Sequence, residues 1–245
     1  MKKLVILFSG NSCSGKSTVQ NALIESGKLS KILTFTTRPQ RENEVEGVDY
    51  HFISKDEVTS KVLPGNCIEF AKVNGNIYGV EISSVINELM KDDDSIPCAI
   101  VTPSAINQYK KFLNAMGVEV VSFYFSCPRE LVEKRLIERA LTKNDEGHFT
   151  EEMIKGAFKR FSHFYAEEQM WLASWNARCA NIKNENRVIP IKSKLISQPI
   201  DVSEFDNNVK GLIKFVEDGI DKIVEEVNFF LKIQIQQTNE QLSRL

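Results

Sequence analysis

Three short runs of apolar and β-branched residues mark the chain, Leu4–Ser9, Ala99–Thr102 and Val118–Phe125. Each is bounded by turn-forming residues, and each predicts a strand. Between and beyond them, apolar residues recur at helical spacing over Ser17–Ser26, Ile82–Lys91, Ser104–Met116 and Pro128–Leu141. Strands that alternate with helices predict an α/β fold, a parallel sheet with helices on both faces. Residues 34–80 break the rhythm. They are rich in polar and aromatic residues, with short extended runs such as Asp49–Ile53 and Cys67–Val73, and predict an inserted subdomain with a small sheet of its own. Thr142–Thr150 is polar and reads as a mobile segment, and Glu185–Asp201, with Pro190 and Pro199, reads as a loop. There are no internal repeats and no low-complexity segments.

The last stretch predicts one long amphipathic helix, from about Ser203 to Gln234. Val209, Ile213, Val216, Ile220, Ile223, Val227 and Phe230 follow alternating steps of four and three, the seam of a coiled coil. Gly211 and Gly219 weaken it. Leu212, Phe215, Val224 and Leu231 widen the stripe, which favours packing on the helix's own domain over a homodimer through this helix. The polar tail Gln234–Leu245 is expected to fray.

Composition narrows the classes. The chain has 245 residues, 42% of them hydrophobic, and a net charge of −2. That length suits one large domain or two small ones. The charge provides no basic field for nucleic acid. No apolar stretch approaches a membrane span. Met1-Lys2-Lys3 and the run after it resemble the start of a signal peptide, but no small-residue cleavage site follows. The cysteines (Cys13, Cys67, Cys98, Cys127 and Cys179) are five, widely spaced and without a C-x-x-C pair. Reduced thiols and a cytoplasmic location are expected.

The strongest chemical signal lies directly after the first strand. Gly10, Asn11, Ser12, Cys13, Ser14, Gly15, Lys16 and Ser17 spell G-x-x-x-x-G-K-S, and Thr18 continues into helix-forming sequence. Strand, loop and helix in that order are the context a phosphate-binding P-loop requires. Glycines let successive backbone N–H groups point inward at a phosphate, and the following helix adds its positive end. Lys16 is placed to reach the β- and γ-phosphates of ATP, and Ser17 to hold Mg²⁺. Cys13 sits inside this loop, where N–H groups and Lys16 would favour a thiolate. An incidental loop residue is the preferred reading, because position alone does not make a thiol reactive.

A second constellation follows in the inserted segment. Arg38 and Arg41 lie three apart, and arginine's planar fork suits a phosphate monoester. Tyr50 and Tyr78 can donate hydroxyl bonds to phosphate oxygens. Glu69, in a half-enclosed pocket, can accept two N–H bonds from one base edge, and guanine offers adjacent N1–H and N2–H₂ donors. His51, His148 and His163 have no nucleophile or ligand spacing around them and are read as structural or surface residues.

The runs TTRPQR (36–41), GVDYHF (47–52), IEFA (68–71) and NGNIYG (74–79), together with the P-loop, closely resemble the guanylate kinase family over roughly residues 4–80. The resemblance implies that Arg38, Arg41, Tyr50 and Tyr78 hold the phosphate of GMP. It implies that Glu69 accepts from guanine N1 and N2, and that Thr34 stands where a family serine donates to O6. It also implies a lid whose arginines close over the transferring phosphate. Arg135 and Arg139 match the family's RLxxR helix, and Arg160 is a looser candidate beyond Glu151-Glu152. The family's arginine falls nearer those glutamates, where this chain has Ala157. Asn184 is the candidate for the family's valine–asparagine–acid segment on the adenine side. The implied architecture is a three-layer P-loop kinase core over 1–33, 81–134 and 161–202. A GMP-binding subdomain with a small mixed sheet would span 34–80, a helical lid 135–160 and a C-terminal helix extension 203–245. The implied reaction is Mg²⁺-assisted, ATP-dependent phosphorylation of GMP or dGMP.

Two departures stand against the family pattern. The strand ending at Thr102-Pro103 lacks the family's aspartates, and Val80 replaces a serine or threonine. Three other readings stay open at this stage. A sugar-phosphate kinase would need no base reader, so Glu69 argues against it. A broad-range, viral-type deoxynucleoside monophosphate kinase suits the two departures. A non-catalytic guanylate kinase-like binding module is opposed by the intact Lys16 and Ser17.

Overall fold

A computed structural model describes residues 2–10, 13–41, 44–62, 65–73, 75–127, 129–140, 151, 155, 197–205 and 208–242. The chain divides into two compact units, Met1–Glu204 and Phe205–Leu245.

The first unit is organised by β1 (Leu4–Gly10), buried at every position. A strand covered on both faces has no polar side to alternate with, which is why it reads as one apolar run. Around it lie β2 (Leu29–Lys31), β7 (Ile96–Ile100), β8 (Glu119–Ser126) and β9 (Ser197–Asp201), in the order β2-β7-β1-β8-β9. Every neighbouring pair is parallel. The connections described include α1 (Lys16–Glu25), α3 (Ile82–Met90), α4 (Ile106–Ala115) and α5 (Arg129–Ala140). Val5 and Leu7 of β1 share one apolar cluster with Val85 and Leu89 of α3 and with Ile106, Tyr109 and Leu113 of α4. Phe8, Phe123 and Phe125 form a second buried group, with ring centroids 6.0 and 5.9 Å from Phe8.

The inserted segment carries its own sheet, as expected, of β3 (Phe35–Thr36), β4 (His51–Phe52), β5 (Cys67–Val73) and β6 (Asn76–Glu81) in the order β4-β3-β6-β5. It is mixed: β3 runs parallel to β4 and antiparallel to β6. Phe35 pairs with Gly79, and a Cβ on that glycine would come within 2.1 Å of the Phe35 ring. Between β4 and β5 lies α2 (Lys55–Lys61), opened by a reciprocal Ser54–Glu57 capping box.

Three expectations are corrected. Glu185–Asp201, read as a loop, contains β9, which pairs in parallel with β8. Pro199 is compatible because β9 is the outermost strand of that order, where a missing N–H breaks no ladder on the open side. The second apolar run forms a strand at Ile96–Ile100 rather than Ala99–Thr102, so Val101 and Thr102 lie beyond its end. The C-terminal helix, α6 (Val209–Leu242), begins later and ends later than Ser203–Gln234. Val202–Phe205 is a 3-10 turn, and the Asn208 side chain accepts the Gly211 N–H at 2.9 Å, capping the helix. The expected frayed tail is helical through Leu242, since glutamine, glutamate and leucine carry good helix propensity. Within this second unit, the Phe205 and Phe215 rings meet at 5.3 Å. The expectations for Thr142–Thr150, for most of the 135–160 lid, and for Ala157, Arg160, Cys179, Asn184, His148 and His163 fall outside the described residues.

Candidate active site

β1 ends at Gly10, whose φ is +141° and where a Cβ would sit 2.4 Å from the Phe125 carbonyl oxygen. No other side chain fits there, so the chain leaves the sheet against β8. Cys13 then adopts φ 60°, the positive-φ non-glycine residue of the described chain, and Gly15 caps α1 at φ 91°. Lys16 is nine-tenths buried. Its Nζ donates to the Gly10 carbonyl at 2.7 Å and to Ser14 Oγ at 3.3 Å. The ammonium therefore lies across the mouth of the loop. Ser17 and Thr18 are exposed on the first turn of α1. Arg135 of α5 donates from Nη1 to the Cys13 carbonyl at 3.1 Å, bringing one expected lid arginine onto the loop. Of Arg139 only the helical backbone is described, and Asn11 and Ser12 lie outside the described residues.

One cavity of about 550 Å³ joins this loop to the inserted sheet. Gly10, Lys16, Ser17 and Thr18 line one part of it, and Thr34, Arg41, Tyr50, Glu69 and Tyr78 line another. Tyr50 and Tyr78 meet edge to face at 6.1 Å. Burial, and then the neighbouring Tyr78, raises the Tyr50 phenol, so it stays a donor.

Glu69 reaches this cavity because β5 is irregular. Cys67 pairs with Glu81 and Glu69 with Val80, a register shift. The bulge lets adjacent residues turn away from solvent together. Ile68 enters the apolar cluster while Glu69, only 8% exposed, lines the cavity. Burial pushes its carboxyl up to about 7, against two lowering hydrogen bonds from Thr102. The Thr102 backbone N–H and Oγ1 reach Glu69 Oε1 at 3.2 and 2.9 Å. Val80 belongs to the apolar cluster.

Two contributors escaped the sequence reading. Glu44 accepts a two-pronged bond from Arg38, each arm 2.8 Å, and the Arg41 backbone N–H at 2.9 Å. Burial alone would raise this carboxyl, and the bonds from Arg38 and Arg41 outweigh it and hold it below the usual range. The Arg38 guanidinium also lies 5.3 Å from the centre of the Tyr50 ring. Lys31, at the end of β2, lines the cavity, with Nζ 3.6 Å from Asp49 and 5.3 Å from the Tyr50 ring centre. Burial lowers its ammonium, partly offset by Asp49. A three-residue strand leaves too short a pattern to place such a lysine.

A parallel sheet whose central strand feeds a P-loop into a helix defines a P-loop nucleotide-binding protein. The chain belongs to the guanylate kinase family, whose model, Guanylate kinase, matches residues 1–166. The guanylate kinase of Clostridium acetobutylicum is 30% identical over 208 residues, 85% of this chain and 92% of that protein. That of Clostridium tetani is 29% identical over 219 residues, 89% and 96% of the two chains. A crystal structure of guanylate kinase from Anaplasma phagocytophilum has 24% identity and a TM-score of 0.44, over 77% of this chain and 88% of that one.

Proposed function

We propose that this protein transfers the γ-phosphoryl group of ATP to the phosphate of GMP or dGMP. The observation that carries the reading is the shared cavity, with the P-loop lysine in one part and a buried carboxylate and two tyrosines in another. Phosphoryl transfer asks a protein for in-line positioning and for compensation of spreading negative charge. In this reading Lys16 and the loop N–H groups hold the donor's terminal phosphates. Arg38, Arg41, Tyr50 and Tyr78 orient the acceptor phosphate, Thr34 and Glu69 select the base, and Arg135, Arg139 and Arg160 compensate the charge that develops in transfer.

No cluster of three metal-ligating side chains occurs among the described residues. The donor set near the loop, the Ser17 hydroxyl, fits an ion that arrives with the nucleotide and keeps phosphate and water oxygens as its other ligands. When bound, Mg²⁺ would neutralise charge on the β- and γ-oxygens. The lid is proposed to exclude water, which would otherwise accept the phosphoryl group. The segments 1–33, 81–134 and 161–202 are proposed to form the core, 34–80 the acceptor subdomain, 135–160 the lid and 203–245 a C-terminal helix extension. No helix among the described residues is long and apolar enough to cross a membrane.

A coupled assay with ATP, Mg²⁺ and each of GMP, dGMP, AMP, CMP and UMP tests the reading. Turnover confined to the guanine nucleotides is expected. Absence of GMP turnover would overturn it, and comparable rates with all five would make the chain a broad-range kinase.

A further inference from the structure

Thr102 stands two residues beyond the end of β7, in the stretch where this chain lacks the acids of the family pattern. Its backbone N–H and Oγ1 both reach Glu69 Oε1, at 3.2 and 2.9 Å. Its hydroxyl also lies 3.0 Å from Ser104 Oγ. An ionised Glu69 only accepts, so in that form the Thr102 hydroxyl donates to it and is left to receive a bond from Ser104. The result is a one-way chain of donors, Ser104 to Thr102 to Glu69. Both Thr102 bonds end on the same oxygen. Oε2 receives none from the described residues, while Glu69 lines the cavity.

We propose that Thr102 is a positioning residue for base selection: it pins Glu69 Oε1 and so sets the carboxylate plane for a two-pronged grip on the guanine edge. The inference rests on the proposed GMP kinase reading. An unpinned carboxylate can still take one N–H bond by rotating, whereas two parallel bonds need the plane fixed. Thr102 therefore matters more for GMP than for inosine monophosphate, which lacks the 2-amino donor. An aspartate at 102 would place a second carboxylate against Glu69 and repel it. The threonine supplies a donor at the same place without charge.

Thr102→Val removes the hydroxyl and keeps the shape, while Thr102→Ser keeps the hydroxyl. Kinetics with GMP, inosine monophosphate and ATP are measured on both variants and on the unaltered chain. Thr102→Val is expected to raise KM for GMP about tenfold, the scale of losing a bond to a charged group. KM for ATP stays unchanged, and the preference for GMP over inosine monophosphate falls about fivefold, because a site built for a donor discriminates by it. Thr102→Ser restores both values. The inference is overturned if Thr102→Val leaves KM for GMP and the preference intact, or if Thr102→Ser behaves like Thr102→Val. If the valine variant does not fold, Thr102→Ala against Thr102→Ser makes the same comparison. Loss of all turnover in the unaltered chain would instead refute the kinase reading itself.

Discussion

Glu69 is a group whose ionisation the fold resists, and the cost can be measured. The perturbation is Glu69→Gln, compared with the unaltered chain between pH 5 and pH 8. The carboxyl moves from its usual 4.5 to about 7, with burial as the main cause. The folded protein therefore binds this proton more tightly than the unfolded chain does. Stability from the protonated form is fully present below about pH 4.5 and is lost as pH rises through about 7. At 1.36 kcal/mol per pH unit, ionisation costs the folded state about 3 kcal/mol by pH 8. Glutamine has nearly the same shape, never ionises, and keeps an oxygen to accept the two Thr102 bonds. Urea unfolding followed by far-ultraviolet circular dichroism should give a glutamine variant more stable by only about 1 kcal/mol at pH 5 and by about 3 kcal/mol at pH 8. All other titrating groups are common to both proteins, so the difference isolates Glu69. A difference that does not change with pH would refute the reasoning. The functional counterpart runs the opposite way. Only the ionised carboxylate accepts both guanine donors, so kcat/KM for GMP should rise with pH to a plateau above about 7. Glu69→Gln should flatten that rise and raise KM for GMP while leaving ATP binding intact. The ionisation that weakens the fold is the one the proposed base contact needs, a trade common at functional sites.

Lys16→Ala removes the ammonium that spans Gly10 and Ser14. Turnover should fall by about 10²–10³ or more, the scale of losing a preorganised charge contact, with an unchanged circular dichroism spectrum; retained turnover would remove Lys16 from the chemistry. Gly79→Ala drives a Cβ to 2.1 Å from the Phe35 ring. It should cost about 1–3 kcal/mol in urea unfolding by overpacking, and an unchanged midpoint would show that the ring can move aside.

The features legible in the sequence were those whose cause is local. β1 reads as one apolar run because both faces are covered, and the P-loop follows it because its backbone demands glycine at Gly10 and Gly15. α4 shows its period because Ile106, Tyr109 and Leu113 face one core. α2 also carries a local mark, the Ser54–Glu57 spacing of a capping box. What escaped depends on register or on partners distant in sequence. No local pattern marks the shift between Cys67 and Glu69, yet that shift places Ile68 in the core and Glu69 in the cavity. The Thr102–Glu69 bond spans 33 positions and ties the turn after β7 to β5 of the inserted sheet. β9 was hidden by Pro199, because an outermost strand tolerates a residue that composition assigns to a loop.

Glu44 sets the electrostatics of the proposed acceptor site. Arg38 and Arg41 lie close together, and as bare cations they would repel and scatter among rotamers. Glu44 takes both arms of the Arg38 fork at 2.8 Å and reaches Arg41 through its backbone N–H at 2.9 Å and its guanidinium at 3.5 Å. Among the described residues Glu44 sits against both arginines, and Lys31 lies beside Asp49. In the proposed reading, selection of the acceptor draws on direction as well as charge: a fork held in one plane and two phenols meeting edge to face. A site organised this way orders its donors during folding rather than on binding, so less conformational entropy is lost when the acceptor arrives. In the proposed reading it would also discriminate by shape, because an anion of different geometry would not meet the aligned donors.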